Sequence, residues 1–186
     1  MGAPSAESRR WRYRIGPTGS HGPHRARPRL RILTMADCRI CELQAGIASL
    51  PPRERIYVDS HWRLSHAWSS LEGWLVLCSI RHVEALDELD ASESDSLGSI
   101  LTATTAALRA VVGCERTYIT LFAERSEFRH VHIHVVPRMS WFSEDDVGPG
   151  VFHFLNPPEA ELVTAARRDG LAEQLGAHLE GAFRAV

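Results

Sequence analysis

The chain has 186 residues, 44% of them hydrophobic, and a formal net charge of −2 at neutral pH. That length and composition suit one folded domain with a sizeable core. No apolar stretch approaches the roughly 20 residues that a membrane-spanning helix needs, and no apolar signal-peptide core follows the first methionine. We therefore expect a cytoplasmic protein without a membrane partner.

Residues 1 to 34 differ from the rest of the chain. They carry eight arginines and one acidic residue, Glu7, and they are rich in Gly, Pro and Ser without hydrophobic periodicity. Such a leader is expected to be disordered or loosely attached. Three explanations stay open: extra sequence upstream of a native start at Met35, a basic arm that contacts nucleic acid or a partner, and an Arg-rich transit peptide. We favour the first, and expect no nucleic-acid binding outside this leader.

The elements that follow are predicted from local pattern. A short helix is expected at 37–48, around Cys41 and Leu43. Segments rich in branched and aromatic residues between polar or Gly boundaries predict strands at 56–59, 62–68, 73–80 and 116–123.

A long helix is predicted between the third and fourth of these strands. Asp90 followed by Glu93 resembles a capping box, and Gly113 suits a helix end. The tail at 159–184 is rich in Ala, Leu and Glu and is expected to be helical, with a break at Asp169 and Gly170.

Three histidines occupy alternate positions of one short run, His130, His132 and His134, with branched aliphatic residues between them. Successive side chains of a strand point to opposite faces, so this spacing predicts three imidazoles on one face and an aliphatic row on the other. This fifth strand makes the predicted fold α+β, with a mainly antiparallel sheet. The imidazoles can bind a metal through neutral nitrogens, or one can act as a nucleophile while its neighbours handle charge.

The run from His130 to Arg138 resembles the alternating His/apolar signature of the histidine triad superfamily of nucleotidyl hydrolases and transferases. The similarity extends upstream through 73–77 and Arg81-His82 to Cys38, covering about 100 residues in the order of that family. The resemblance implies the same five-stranded fold and a catalytic site formed by the three histidines. In it, His132 is the nucleophile and forms a nucleotidyl-histidine intermediate, while His134 donates hydrogen bonds to the phosphate or leaving group.

A second constellation involves cysteine. Cys38 and Cys41 have the C-x-x-C spacing that lets two thiolates reach one tetrahedral ion, although a redox dithiol or a disulfide is also open from spacing alone. Zinc-containing relatives complete such a site with a histidine after the third strand and the first histidine of the triad. In this sequence those positions are His82 and His130. The resemblance therefore implies a closed structural zinc site and a zinc-containing, bacterial-type member of the family.

The turn before the triad departs from the family pattern. Arg125, Ser126 and Glu127 occupy positions at which relatives contact the phosphate through Gly, Gln and Ser. We expect Ser126 to bind the phosphate together with His134, whereas Glu127 is an acid close to an anion. A plain surface location of Arg125 and Glu127 stays open.

The nucleoside pocket departs as well. Trp74 stands where many relatives have His, and Ala67 stands at the position of the acid that binds ribose. His66, Trp68 and Trp74 are candidates to replace those contacts by stacking or hydrogen bonding, with a place in the core as the alternative.

Residues 35–142 are expected to form the histidine triad domain, and 143–186 a C-terminal loop and helical tail. A homodimer is expected, as in dimeric relatives, and the tail is a candidate for its interface. The aromatic and aliphatic candidates there are Phe142, Val151, Phe152 and Phe154. The run at 144–146 (Glu-Asp-Asp) is expected to be a solvated loop, with Mg²⁺ carried by a polyphosphate substrate as the alternative.

Taken together, the resemblance implies an enzyme that cleaves a nucleotide at its α-phosphate, with adenine nucleotides such as dinucleoside polyphosphates or AMP conjugates as substrates. Hydrolysis, phosphorolysis and phosphoramidate hydrolysis stay open within this class. Two other classes compete: a catalytically weak nucleotide-binding protein with a structural zinc, and a metallohydrolase in which all three histidines are ligands of a catalytic ion.

Overall fold

A computed structural model describes residues 38–184. The predictions for the leader at 1–34 and for a start at Met35 lie outside the described residues. The helices of the described range are α1 (Arg39–Ala45), α2 (Ala91–Val112) and α3 (Ala165–Arg184). The strands are β1 (Tyr57–Val58), β2 (Trp62–His66), β3 (Leu75–Ser79), β4 (Arg116–Leu121) and β5 (His132–Arg138).

The five strands form one sheet in the order β1-β2-β3-β5-β4, and every neighbouring pair is antiparallel. The long helix α2 connects β3 to β4. The predicted α+β class, the five-stranded antiparallel sheet and the place of the long helix are therefore confirmed.

Local sequence accounts for the bounds of α2. The Asp90 carboxylate accepts a hydrogen bond from the Glu93 backbone N–H, and the Glu93 carboxylate accepts one from the Asp90 N–H, which completes the predicted capping box. Arg81 donates two further hydrogen bonds to the buried Glu93 carboxylate, at 3.1 and 2.6 Å. At the other end, Gly113 has φ 69°, the left-handed conformation that ends a helix at low steric cost.

The two faces of the sheet are covered by different parts of the chain. Helices α2 and α3 pack on one face, where Ile133 and Val135 of β5 lie in the main core. The opposite face carries His132 and His134, since side chains alternate along β5. Part of that face is covered by the C-terminal loop, whose Val151 packs in a second apolar cluster with Trp74. One row of β5 is thus committed to burial, which leaves the other row for the histidines.

Helix α3 differs from its prediction. The chain runs as a continuous helix through Asp169 and Gly170, so the predicted break there is wrong. The Asp169 carboxylate accepts hydrogen bonds from the Arg53 backbone N–H at 3.0 Å and from its guanidinium at 2.8 Å. Leu171 and Leu175 are buried in the main core immediately after the glycine. These tertiary contacts outweigh the weak helix propensity of a single glycine.

Strand β5 also begins later than the spacing predicted. It starts at His132, so His130 precedes the strand and is not part of one regular row with the other two. The backbone N–H of His130 donates to Phe128 O, two residues earlier. The N–H of Val131 donates to Val83 O, and Val131 O accepts from the N–H of Ser79. The chain therefore turns at His130 before it joins the ladder.

No helix within residues 38–184 combines the length and the apolar character that crossing a membrane would require.

The packing of α3 gives a stability prediction. Replacing Leu175, which is fully buried, with Ala should lower the free energy of unfolding by about 2–5 kcal/mol, because the truncation leaves a cavity between α3 and the sheet. Chemical denaturation of purified variants measures this change. Glu173→Ala, at an exposed position two residues earlier on the same helix, is the matched control and should change the value by less than about 0.5 kcal/mol. Equal effects of both changes would contradict the packing described for α3.

Candidate active site and metal-binding cluster

His132 is held in one tautomer by the backbone. Its Nδ1 lies 2.7 Å from His130 O, and a carbonyl can only accept, so Nδ1 carries the proton. In the neutral ring the lone pair is therefore on the other nitrogen, Nε2. The side chain is partly exposed, and the Phe128 ring lies beside the imidazole with its centroid 6.4 Å away. In its neutral form the ring therefore presents Nε2 as a nitrogen that can act as a nucleophile.

His134 has the opposite tautomer. Its Nδ1 accepts a hydrogen bond of 3.0 Å from the Trp74 indole N–H, which leaves the proton on Nε2. The imidazole lies 5.3 Å from that of His132, centroid to centroid, and 6.2 Å from the Phe152 ring. Burial, with a smaller contribution from His132, lowers the pKa of His134 to about 4. His134 is thus a neutral hydrogen-bond donor beside His132.

His130 is fully buried. Its Nε2 donates to Ser79 O at 2.8 Å, so Nδ1 carries the lone pair. That Nδ1 lies 3.5 Å from both Cys38 Sγ and Cys41 Sγ. Burial lowers the pKa of His130 to about 4, which keeps the imidazole neutral. The first histidine of the run therefore lies in a separate cluster that could hold a metal ion.

The four predicted metal ligands meet at one point. The ligand atoms of Cys38, Cys41, His82 and His130 all lie within 4.8 Å of one another, and Cys41 Sγ is 3.3 Å from His82 Nδ1. A tetrahedral zinc ion with bonds of about 2.3 Å to sulfur and about 2.05 Å to nitrogen would separate each sulfur from each nitrogen by about 3.5 Å. The sulfur–nitrogen distances of 3.3 to 3.5 Å fit that geometry.

Charge favours a cation in this cluster. Burial and the neighbouring Cys38 thiol raise the pKa of Cys41 to about 11, because two thiolates side by side repel each other. A bound cation reverses that balance by stabilising both thiolates. The donor set of two cysteines and two histidines is one that zinc prefers. The geometry and the donor chemistry therefore fit the expected ion.

The structure does not bring the three triad histidines together as ligands of one ion. Within residues 38–184, the Cys2His2 cluster is the one group of three or more His, Cys, Asp or Glu side chains arranged to hold a metal. The run at 144–146 is therefore not such a group, and the Asp146 carboxylate instead accepts hydrogen bonds from the Ser143 N–H and hydroxyl at 2.7 and 2.8 Å.

The turn before the triad is exposed. A single 3-10 turn spans Ser126–Phe128, and the Arg125, Ser126 and Glu127 side chains are exposed. The Ser126 hydroxyl lies 3.5 Å from the Glu127 carboxylate, the outer limit of a hydrogen bond. The carboxylate is thus turned toward its neighbour in the sequence.

The three candidate nucleoside-binding residues, His66, Trp68 and Trp74, have different surroundings in the structure. Trp74 alone reaches the triad. His66 is buried, and both of its nitrogens are used, since Nδ1 donates to Ala67 O and Nε2 accepts from the Gly73 N–H. Trp68 is half exposed and stacks on the Arg168 guanidinium at 4.8 Å.

Two residues near the cluster were not predicted. Arg63 is buried, donates to Glu54 O at 2.8 Å and lies 3.9 Å from the Cys78 sulfur. The alternation in β2, which places Arg63 and Ser65 on the face of the histidines, was the available signal. The carbonyl of Ser79 that binds His130 left no signal, because every residue carries one.

The aromatic residues proposed for a dimer contact pack within the chain. Val151 is buried beside Trp74 and Leu71, and the phenylalanines at 142, 152 and 154 pack against the same cluster. The C-terminal loop therefore forms one wall of the histidine face.

Comparison with known proteins gives a fold. No family model matches the sequence, and no curated protein matches it. A histidine triad nucleotide-binding protein from Sulfolobus tokodaii matches with a TM-score of 0.60 and 14% identity, over 80% of this chain and 96% of that one. A zinc-bound histidine triad family protein from Mycobacterium smegmatis matches with a TM-score of 0.57 and 18% identity, over 82% of this chain and all of that one.

A third match is the diadenosine triphosphate hydrolase of Plasmodium falciparum in complex with cyclomarin A, with a TM-score of 0.53 and 13% identity, over 71% of this chain and 80% of that one. All three agree with the antiparallel sheet and the intervening helix described above. The chain therefore has the histidine triad fold.

Proposed function

We propose that this chain belongs to the histidine triad superfamily and is a nucleotide hydrolase or transferase that cleaves at the α-phosphate. The observation that carries the proposal is the hydrogen bond from His132 Nδ1 to His130 O, which leaves Nε2 as a free nucleophile on a partly exposed face. The acceptor is a backbone carbonyl, which cannot take up the Nδ1 proton, so this hydrogen bond keeps the neutral ring in one tautomer.

In the proposed reaction, the His132 Nε2 lone pair forms a bond to the α-phosphorus as the bond to the leaving group breaks. The leaving group departs with the electron pair. Water or another acceptor then attacks the nucleotidyl-histidine, which releases a nucleoside monophosphate and restores the neutral imidazole. A water acceptor loses one proton to solvent in this second step. Splitting one displacement into two lowers each barrier.

His134 is proposed to bind the phosphate or the leaving group through its Nε2–H. A preorganised donor near developing negative charge stabilises a transition state more than a mobile one does. The Ser126 hydroxyl is proposed as a second donor to the phosphate, and its exposed position leaves it free to turn toward a bound anion.

We further propose that zinc occupies the cluster of Cys38, Cys41, His82 and His130 and has a structural role. Four protein ligands close the coordination sphere, so the ion has no open position for substrate. When bound, zinc supplies a cross-link and a positive charge that stabilises two thiolates. The cysteines belong to the start of α1, and the histidines flank the sheet, so the ligands join α1 to the sheet.

Adenine nucleotides such as dinucleoside polyphosphates or AMP conjugates remain the proposed substrates. A diadenosine triphosphate hydrolase has the same fold, which supports this choice. A magnesium ion would then arrive with the polyphosphate. The homodimer and the cytoplasmic location stay predictions.

The two competing classes receive different support. The metallohydrolase with three histidine ligands is disfavoured, because His130 Nδ1 points to the thiols and His132 Nδ1 is occupied by a carbonyl. The binding protein with weak catalysis remains the second candidate, because the exposed Ser126–Phe128 turn supplies little preorganised contact for a phosphate.

Replacing His132 with Ala should reduce AMP release from diadenosine tetraphosphate by about 10³-fold or more, because the nucleophile is lost. Steady-state assays measure the rate, and rapid-quench mass spectrometry should detect a nucleotidyl adduct on the triad peptide of the parent only. His178→Ala, an exposed histidine on α3, is the control and should keep the parental rate. Parental turnover by the His132 variant would refute the mechanism, and tight AMP binding without turnover by the parent would favour the binding protein.

Replacing Cys41 with Ser should reduce bound zinc well below one ion per chain and lower Tm by at least roughly 2–4 °C, because a structural ion contributes about 1 kcal/mol or more of its binding free energy to folding. Elemental analysis and thermal unfolding measure both effects. Cys114→Ala is the control: this cysteine is buried in the main core outside the cluster, so its loss should leave the zinc content intact. The zinc proposal would be wrong if the unmutated protein contains less than one zinc ion per chain, is fully active, and has the same Tm after zinc is added.

A further inference from the structure

Trp74 has an unusual partner for an indole. Its ring is fully buried, immediately after Gly73, whose φ of 78° turns the chain into β3. Its Nε1–H donates to His134 Nδ1 at 3.0 Å, and its ring meets the His134 and Phe152 rings edge to face. The indole nitrogen can donate but never accept. His134 Nδ1 must therefore offer a lone pair for as long as this contact exists.

This contact restricts the charge of His134. An imidazolium carries N–H on both nitrogens, so it would place a second donor 3.0 Å from the indole N–H. Only the neutral form with its proton on Nε2 is compatible with the packed geometry. The low pKa of about 4, caused mainly by burial and then by His132, agrees with that restriction.

We propose, on the basis of the function above, that Trp74 is a positioning residue that restricts this site to leaving groups that depart as stable anions, such as the phosphate of a nucleoside polyphosphate. When the His132 Nε2–P bond forms, the P–O bond of a phosphoanhydride breaks and the polyphosphate takes the electron pair. That anion needs a hydrogen bond, which the His134 Nε2–H donates, but no proton.

An amine leaving group makes a different demand. When the P–N bond of a phosphoramidate breaks, the nitrogen takes the electron pair and must receive a proton to leave. A neutral imidazole is a far weaker acid than an imidazolium, so His134 cannot supply that proton efficiently. The leaving groups favoured by this site are therefore phosphates, and amines are disfavoured.

Paired substrates test the leaving group. The ratio of kcat/KM for AMP release from diadenosine tetraphosphate to that from adenosine 5′-phosphoramidate should favour the anhydride in the parent. Trp74→Phe keeps an aromatic ring but removes the N–H donor. It should lower that ratio at least about tenfold, because without the opposing N–H the pKa of His134 rises from its burial-lowered value and a larger fraction of molecules carries an acidic imidazolium. Trp141→Phe, at an exposed tryptophan outside the site, is the matched control and should leave the ratio unchanged. An unchanged ratio in a folded Trp74→Phe variant overturns the proposal.

The tautomer is tested separately from turnover and in the parent itself. A two-bond ¹H–¹⁵N correlation spectrum at neutral pH should show His134 with Nδ1 as the unprotonated nitrogen and Nε2 as the protonated one. A protonated Nδ1 overturns the proposal even if the Trp74 variants do not fold.

The two levels of the proposal fail in different ways. If the parent forms the nucleotidyl adduct and cleaves both substrates equally well, the leaving-group inference is wrong and the proposed function stands. If the parent forms no adduct and releases AMP from neither substrate, the proposed function is wrong and the leaving-group inference is wrong with it.

Discussion

The backbone carbonyl of His130 is the contact on which the proposed chemistry depends. It fixes the tautomer of His132, and its own position is fixed by the buried His130 side chain, which donates to Ser79 O and faces two thiols. A metal bound at His130 Nδ1 would therefore be linked to His132 through the backbone carbonyl of His130. His130 serves both sites with different atoms. Its Nδ1 faces the two thiols, whereas its backbone oxygen accepts the hydrogen bond from His132, so the two sites do not compete for one lone pair.

The three histidines show how neighbours rather than spacing assign roles to identical side chains. In His130, Nε2 donates to a carbonyl, so Nδ1 is the nitrogen available to a metal. In His132, Nδ1 donates to a carbonyl, so Nε2 is the nitrogen available for the proposed attack on phosphorus. In His134, Nδ1 accepts from an indole, so Nε2 carries the proton. Two of these partners are uncharged backbone atoms and the third does not titrate. The tautomer of each neutral ring is therefore set by the fold rather than by a balance of nearby charges.

Features encoded within a few residues were predictable from the sequence. The capping box at Asp90, the glycine at the end of α2 and the β-branched strands all follow from local chemistry, and they gave the correct fold. Two errors arose where distant contacts decide. The helix continues through Gly170 because α3 packs on the core, and the strand begins after His130 because its backbone turns toward Phe128 and Val131 joins Val83. The Trp74–His134 contact joins residues 60 positions apart, so neither the pairing nor the tautomer could be derived from spacing.

The site has an ordered end and an exposed end. At the end that holds the histidines, His130 and Trp74 are fully buried. One nitrogen of each imidazole has a fixed hydrogen-bond partner, which is a backbone carbonyl for His130 and His132 and the Trp74 indole for His134. At the phosphate end, Arg125 and Ser126 are exposed, and the one hydrogen bond of Ser126 is long. Because a preorganised dipole costs no reorganisation during the reaction, the imidazoles can act at once, whereas the turn must be ordered by the substrate. In the proposed reaction, the phosphate groups of the substrate would therefore supply the binding energy that orders the turn.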